Sequence, residues 1–533
     1  MFSFIFNFAA SKSAKISRSF FPEKEPAAFP EYTFEQIAAF HQITLHNARQ
    51  MDDATWRDLQ VDAYLRKISA SVSIFARQTL YKLLRSHQQA SASLSLQKRI
   101  RELQLRPDVL EQIAAASAVL RRVPGDASSL LFSEQGSDTP YWAKAVFLIP
   151  LGLLLGFFLF TQTVFGLAVM ALFFSLILAL QSRFNREMVL WRSQWGAVCA
   201  LMNALQRLAQ PCQIHIAGCE NSADVERLAR LIHKQISAKP SISIETEAYG
   251  NWFLLTNIKH HFKAMQNYRL HREFIRASFV QLGEIEAAYA LVLHLQSVPY
   301  TTWMEWQQAE TFHFDGVVHP LLENPQAISV NLTAPGMLIT GQNAGGKSTF
   351  MRTLGLNMIV ARAFGFCYAK QARAPYLPVY ANMQNQDDLQ GGESYYIAEL
   401  RRAKELLNSA QNSGRGLYLI DEIFRGTNHI ESVAAASSFL HALSKLAPVV
   451  AASHNIELAV ILKERFQAMR FQHGTANKYQ LEEGILELSN GLCLFEREDF
   501  GEEVNQGAVN ALGFLQQHCR HPDLSKLVLP TLT

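Results

Sequence analysis

Between Ala145 and Leu180 the chain reads AVFLIPLGLLLGFFLFTQTVFGLAVMALFFSLILAL, without one charged residue. A single helix over this run would be roughly 54 Å long at about 1.5 Å per residue, whereas a bilayer core is about 30 Å thick. The polar break Thr161-Gln162-Thr163 lies near the middle. The pattern therefore predicts a helical hairpin, with Ala145–Phe160 as one arm, Thr161–Thr163 as the turn and Val164–Leu180 as the return. A buried hairpin in a large soluble core has the same periodicity, but so long a charge-free run favours a lipid bilayer as its surroundings. Lys144, Arg183 and Arg186 flank the two ends. Positive flanks favour the cytoplasmic side, so the soluble parts are expected in the cytoplasm, against the inner membrane.

Elsewhere the pattern changes period. Residues 1–33 read as irregular, broken by Pro22, Pro26 and Pro30. Over 34–143 the apolar residues recur at helical spacing, as Ile74, Leu80, Leu83 and Leu84 do in IFARQTLYKLLRSH. The hairpin occupies 144–182. Helical spacing resumes over 183–310, in NREMVLWRSQWGAVCALMNALQRLAQ and FVQLGEIEAAYALVLHLQ. From 311 to 500 short β-rich runs, GMLIT (336–340), GLYLI (416–420) and PVVAAS (448–453), alternate with helical stretches. That alternation predicts an α/β domain, a mostly parallel sheet with helices on both faces. Residues 501–533 read as a helical tail. The expected fold class is thus an α/β domain preceded by an all-α region that a transmembrane hairpin interrupts.

Composition narrows the picture only a little. The 533 residues are 49% hydrophobic and 18% charged, and 49 Lys+Arg against 46 Asp+Glu leave a net charge of +3. That balance gives no argument for a nucleic-acid partner, and it leaves room for a local basic patch. Six cysteines are scattered without a CxxC pair, so neither a zinc site nor a disulfide framework is indicated, and a reduced compartment fits. The first residues, MFSFIFNFAASKSAK, place apolar before basic, the reverse of a secretory signal.

The candidate chemistry lies in the α/β region. GQNAGGKST (341–349) fits G-x-x-x-x-G-K-[ST] in full. It follows the strand MLIT and opens the helix TFMRTLGLNMIVARAF, the context this phosphate-binding loop requires. Gly341, Gly345 and Gly346 let the backbone fold tightly, and with Asn343 and Thr349 they complete the cradle for ATP. Lys347 is expected to reach the β- and γ-phosphates, and the Ser348 hydroxyl to ligate Mg²⁺. In LYLIDEIFRGT a buried strand runs into Asp421 and Glu422, at the end of the strand that faces the phosphate crevice of such sheets. Asp421 is expected to hold Mg²⁺ directly or through water, and Glu422 to orient the attacking water as general base. His454 follows the strand VVAAS. A lone histidine there is more often structural than catalytic.

Four motifs resemble the ATPase domain of the MutS family of DNA mismatch-repair proteins. GQNAGGKSTFMR resembles G-P-N-x-G-G-K-S-T-x-x-R, and DDLQGGESYYIAEL (387–400) resembles D-D-L-x-x-G-x-S-T-F-x-x-E-[ML]. DEIFRGTN resembles D-E-[IL]-G-R-G-T-[ST], and ASHN resembles A-T-H-[YF]. FDGVVHPLLE (314–323) and, farther upstream, MDDATWRDLQV (51–61) resemble the segment leading into that domain and the family's helical core. The resemblance implies a head-to-tail homodimer with composite sites, a γ-phosphate contact from His454, and an action of Ser394 on the opposite subunit's nucleotide. Ser394 also reads as a helix cap after two glycines. Gln342, Ala344, Glu393, Tyr395, Tyr396 and Phe424 depart from the family pattern, Phe424 standing where glycine is usual. No mismatch-reading domain is visible.

Two functions follow as expectations. One is a membrane-anchored, bacterial MutS-like ATPase, homodimeric, that couples nucleotide state to its helical arms and binds DNA, either as in mismatch repair or in a structured form. The other is an ATP-driven membrane signalling or scaffold switch that touches no DNA. A transport ATPase fits less well, because one hairpin encloses no pathway and the signature is unlike L-S-G-G-Q.

Overall fold

The structure is a computed structural model that describes residues 31–45, 50–87, 89–123, 125–133, 145–146, 148–237, 254–341, 346–383, 395–412, 415–471, 480–485 and 502–518. The chain is α/β, mostly helical, and its chain path interleaves two compact units. One unit draws on Met1–Ile43, Val72–Gln78 and Glu111–Glu286, the other on Thr44–Ser71, Thr79–Leu110 and Ala287–Thr533.

The first unit is helical. Its core includes a ring cluster in which Phe40, Phe75 and Phe132 each lie 4.9–5.4 Å from Phe279. Beside it the fully buried Glu286 carboxylate accepts the Ser73 backbone N–H at 2.9 Å and the hydroxyls of Ser73 and Ser117. The apolar run forms two helices, Leu148–Phe160 and Phe165–Leu208. The first arm thus begins at Leu148 and not at Ala145. The return arm does not stop at Leu180 but runs on as one helix, because residues 181–195 contain neither Gly nor Pro to break it. In the turn, the hydroxyls of Thr161 and Thr163 donate to the carbonyls of Phe158 and Leu159 (2.6 and 3.3 Å), so the first arm's last carbonyls are satisfied locally. Gly152 and Gly156 let the arms touch: a Cβ at Gly156 would lie 2.8 Å from the Met170 backbone, and one at Gly152 2.3 Å from the Phe173 ring.

The second unit is built on a six-stranded sheet. Its strands, in the numbering used below, are β5 (Gly336–Thr340), β8 (Val379–Asn382), β9 (Leu417–Asp421), β10 (Val449–Ser453), β11 (Phe466–Phe471) and β12 (Leu481–Glu483). β1 (Thr302–Trp303) and β6 (Phe366–Cys367) pair as a ribbon, and β2 (Glu305–Trp306), β3 (Phe312–Val317), β4 (Ile328–Leu332) and β7 (Gln371–Ala374) make a four-stranded sheet. The order of the large sheet is β12-β11-β5-β10-β9-β8, parallel except for the edge strand β12. β5, β9 and β10 are buried along their whole length, as strands covered on both faces must be. Tyr380, Tyr418, Ile420, Leu338, Val449 and Ala451 point to one face, under α2 (Tyr395–Asn412) and α3 (His429–Leu446). The other face, which includes Leu419, lies against α1 (Lys347–Phe364), where Gly355 allows the approach: a Cβ there would meet Leu419 and Leu59 at 2.6 and 2.8 Å.

The outer edge of β8 is also covered. The helix Asp53–Asp58, from MDDATWRDLQV, lies along it. Thr55 Oγ1 accepts the Ala381 N–H at 2.9 Å and Asp58 Oδ2 the Met383 N–H at 2.7 Å, alternate donors of an otherwise open edge.

Candidate active site

The carboxyl ends of β5, β9 and β10 lie level, with Thr340 opposite Ser453 and Asp421 opposite Ala452. Three of the motifs meet there. Gly341 leaves β5, and Gly346, in the left-handed region at φ 88°, turns the chain into α1. Lys347 is the first residue of that helix; its Nζ donates to the Gly341 carbonyl at 2.5 Å and lies 3.2 Å from His454 Nδ1. The Ser348 hydroxyl bonds the Asp421 carboxylate. Thr349 is exposed, and its carbonyl accepts the Thr353 hydroxyl at 2.7 Å. Asn343, Gly345 and Ser394 lie outside the described residues.

Asp421 ends β9, and Glu422 follows in the left-handed region at φ 49°, its N–H donated to the Ala452 carbonyl at 3.0 Å. Left-handed backbone is uncommon for a residue with a side chain, and here it aims the Glu422 carboxylate at His454 and Arg425, both of which it contacts. His454 is set by a tight turn: the Ser453 hydroxyl accepts the Asn455 N–H at 3.0 Å. The site thus gathers Lys347, Ser348, Asp421, Glu422 and His454.

The charges are unequally served. Burial pushes Asp421 above its ordinary carboxylate value, and the Ser348 hydrogen bond, Lys347 and Arg425 only partly offset it. For Glu422 burial acts upward too, but the His454 hydrogen bond together with Arg425 and Lys347 outweighs it and holds the carboxyl below its ordinary value. Burial lowers Lys347, against the pull of Glu422 and Asp421. Asp421 Oδ1 is buried with no hydrogen-bond partner among the described residues. A buried carboxylate oxygen beside a serine hydroxyl at a helix start suits a divalent cation, and the donor set fits Mg²⁺. Among the described residues no three His, Cys, Asp or Glu converge to hold a metal unaided, so further ligands would come from substrate phosphates and water.

Residues that sequence reasoning passed over complete the arrangement. Glu399, in α2, is fully buried, and its two oxygens accept the N–H groups of Arg425 and Gly426 at 3.2 and 3.1 Å. It thereby fixes the loop that carries Arg425 to Glu422. Its signal was present as the acid near the end of DDLQGGESYYIAEL. Arg402 joins Asp52 (2.8 Å) to the Ala381 carbonyl (2.8 Å), and Arg352 of α1 reaches the Asp58 carbonyl (3.0 Å).

Fold and site together define an α/β domain with a cluster of Lys347, Ser348, Asp421, Glu422 and His454 at the carboxyl ends of its parallel strands. Residues 337–515 match the family model described as MutS domain V. Over 279 residues the chain is 27% identical to the DNA mismatch repair protein MutS of Natronomonas pharaonis, covering 48% of this chain and 32% of that protein. Over 200 residues it is 30% identical to the DNA mismatch repair protein MutS of Thermus thermophilus, covering 36% of this chain and 24% of that one. The chain carries a domain of the MutS family, and it spans a third or less of these relatives' length.

Proposed function

We propose that this chain is a membrane-anchored ATPase that binds ATP with Mg²⁺, hydrolyses it, and works as a homodimer in contact with DNA. The observation that carries the ATPase reading is the convergence of Lys347, Ser348, Asp421, Glu422 and His454 at the ends of three parallel strands. Lys347, at the start of α1, orients the terminal phosphates, and the helix N-terminus adds its positive end. Ser348 and Asp421 hold Mg²⁺, whose chemistry is to neutralise charge on the phosphate oxygens. Glu422, kept ionised by Arg425, Lys347 and His454, orients the attacking water and accepts its proton. His454, beside Lys347, contacts the γ-phosphate. Asn343, Gly345, Gly346 and Thr349 complete the cradle, and Ser394 completes the partner's site.

Membrane anchoring rests on the two apolar helices. Phe165–Arg183 is long and apolar enough to cross a bilayer, and only 11% of its apolar window is buried; Leu148–Phe160 is shorter. We place the soluble units on the cytoplasmic side of a bacterial inner membrane, following the basic flanks. The DNA part of the reading comes from the relatives, which are DNA mismatch repair proteins. The test uses detergent-solubilised full-length chain with ATP, and with homoduplex, mismatched, branched and single-stranded DNA across a salt series, with Lys347→Ala as control. Hydrolysis lost in that variant, and salt-sensitive retention of one DNA form, support the reading. Hydrolysis without retention at low salt leaves a membrane switch that touches no DNA.

A further inference from the structure

We propose that the base of the apolar hairpin is a docking surface for acidic phospholipid headgroups, made by Lys259, Lys263, Lys234 and Arg183. The inference rests on the membrane reading of the hairpin and names the lipid class it prefers. Val146 and Ile177, one residue from each side of the hairpin's base, are buried against Leu255 and Ile258, and Ile149, Leu153, Leu180 and Phe262 close the cluster. The beginning of the helix Thr256–Ser297 is thereby packed onto the hairpin where its apolar run ends. Asn257 Nδ2 donates to Gln181 Oε1 at 3.2 Å, a polar contact just past the last residue of the charge-free run, Leu180. This pair marks the border between the apolar layer and water.

The cations sit at that border. Leu255, Ile258 and Phe262 recur at three- and four-residue steps and face the hairpin. Lys259 and Lys263, one position on from Ile258 and Phe262, flank that stripe at the same height. Lys263 is exposed and Lys259 half-buried. Arg183, two residues past Gln181, is exposed. A hydrogen bond between the His260 ring and the Ile236 backbone brings up the end of the helix Ser222–Ile236, with exposed Lys234 in its last turn. Farther along the long helix Arg272 and Arg276 serve the fold, donating to the carbonyls of Ser133 and Leu131.

Charge alone would suit a nucleic acid equally. Position decides: the lysines border a hairpin whose first arm exposes Leu151, Leu154, Leu155, Phe157 and Phe158, side chains that a nucleic acid would leave in water. A bilayer offers phosphates at the level of the lysines and hydrocarbon at the level of the leucines. Cationic side chains beside a membrane segment favour anionic lipid by electrostatics.

The experiment measures which lipid the full-length chain gathers from mixed micelles of fluorescent phosphatidylglycerol and phosphatidylcholine. We expect enrichment of the acidic lipid by about tenfold, falling to near unity in the quadruple Arg183→Gln/Lys234→Gln/Lys259→Gln/Lys263→Gln variant and with added salt, and retained when the three lysines are replaced by arginine. Inorganic phosphate at millimolar concentration should not compete. Equal enrichment in wild type and Gln variant overturns the proposal, as does a Gln variant that keeps the lipid preference but loses DNA retention. Flotation with pure phosphatidylcholine vesicles is scored separately. A chain that floats yet shows no preference sinks only the headgroup surface, whereas a chain that floats with no vesicle sinks the membrane reading and this proposal with it.

Discussion

Asp421 and Glu422 are adjacent carboxylates with opposite energetics. Glu422 is ionised more readily than usual, so its stabilising contribution is present above its unfolded value near 4.5 and is lost as pH falls through its lower folded value. Glu422→Gln should therefore be less stable than wild type at pH 7, with the difference in Tm closing below about pH 4, and should slow ATP hydrolysis by about 10²–10⁴-fold while binding persists. Asp421 is the reverse: burial disfavours its charge. Asp421→Asn should raise stability by about 1 kcal/mol in a denaturant titration yet abolish Mg²⁺-dependent nucleotide binding. The sequence identified both residues, because a buried strand ending in two acids after a phosphate loop is a specific pattern. It did not show which would be strained. Phe424, where glycine was expected, adopts the left-handed φ of 62° that glycine takes freely, and its ring fills the space beside Tyr396 and Phe439. Phe424→Gly relieves about 1 kcal/mol of backbone strain but opens a cavity worth about 3–5 kcal/mol. A net loss of about 2–4 kcal/mol by chemical denaturation is expected, and a more stable variant would show that the ring contributes little.

At the scale of elements, strand and helix positions in the α/β region were readable because their apolar runs are bounded by turn chemistry and separated by helical spacing. The role of the helix Asp53–Asp58 was not. Its sequence shows an amphipathic turn capped by Asp52, and nothing local says that Thr55 and Asp58 complete a strand more than 300 residues later. Such a contact arises because an exposed edge strand must satisfy its donors, and that requirement exists only once the sheet is assembled. Thr55→Val keeps the shape and strands the Ala381 N–H beneath a fully buried side chain. The expected loss is about 1–3 kcal/mol, with faster hydrogen exchange at Ala381 than at Tyr418 of the neighbouring strand β9 as the site-specific readout. The hairpin's bend was legible from three polar residues, but the length of its second helix was not, since charged residues beyond Leu180 change the surroundings of a helix without ending it.

For the whole molecule, the order of motifs along the chain does not reveal how the chain is shared between its units. Thr44–Ser71 and Thr79–Leu110 belong with the sheet, while Val72–Gln78 between them belongs with the helical unit. Helical periodicity is the same in both settings, so only long-range partners distinguish them. The same ambiguity governs the hairpin, because an apolar helix suits a lipid bilayer or a protein core alike. The two surroundings separate under substitution. Leu154, Phe158, Leu172 and Phe174 are all exposed. A solvent-facing leucine or phenylalanine tolerates asparagine with changes within about 0.5 kcal/mol, but a lipid-facing one resists it, since each amide must enter hydrocarbon. The quadruple Asn variant should therefore leave ATP binding by the second unit intact and shift the protein from the membrane fraction to one extracted by alkaline wash. Equal retention of variant and wild type in the membrane pellet, or a wild type that is itself extracted, would show that these side chains face something other than lipid.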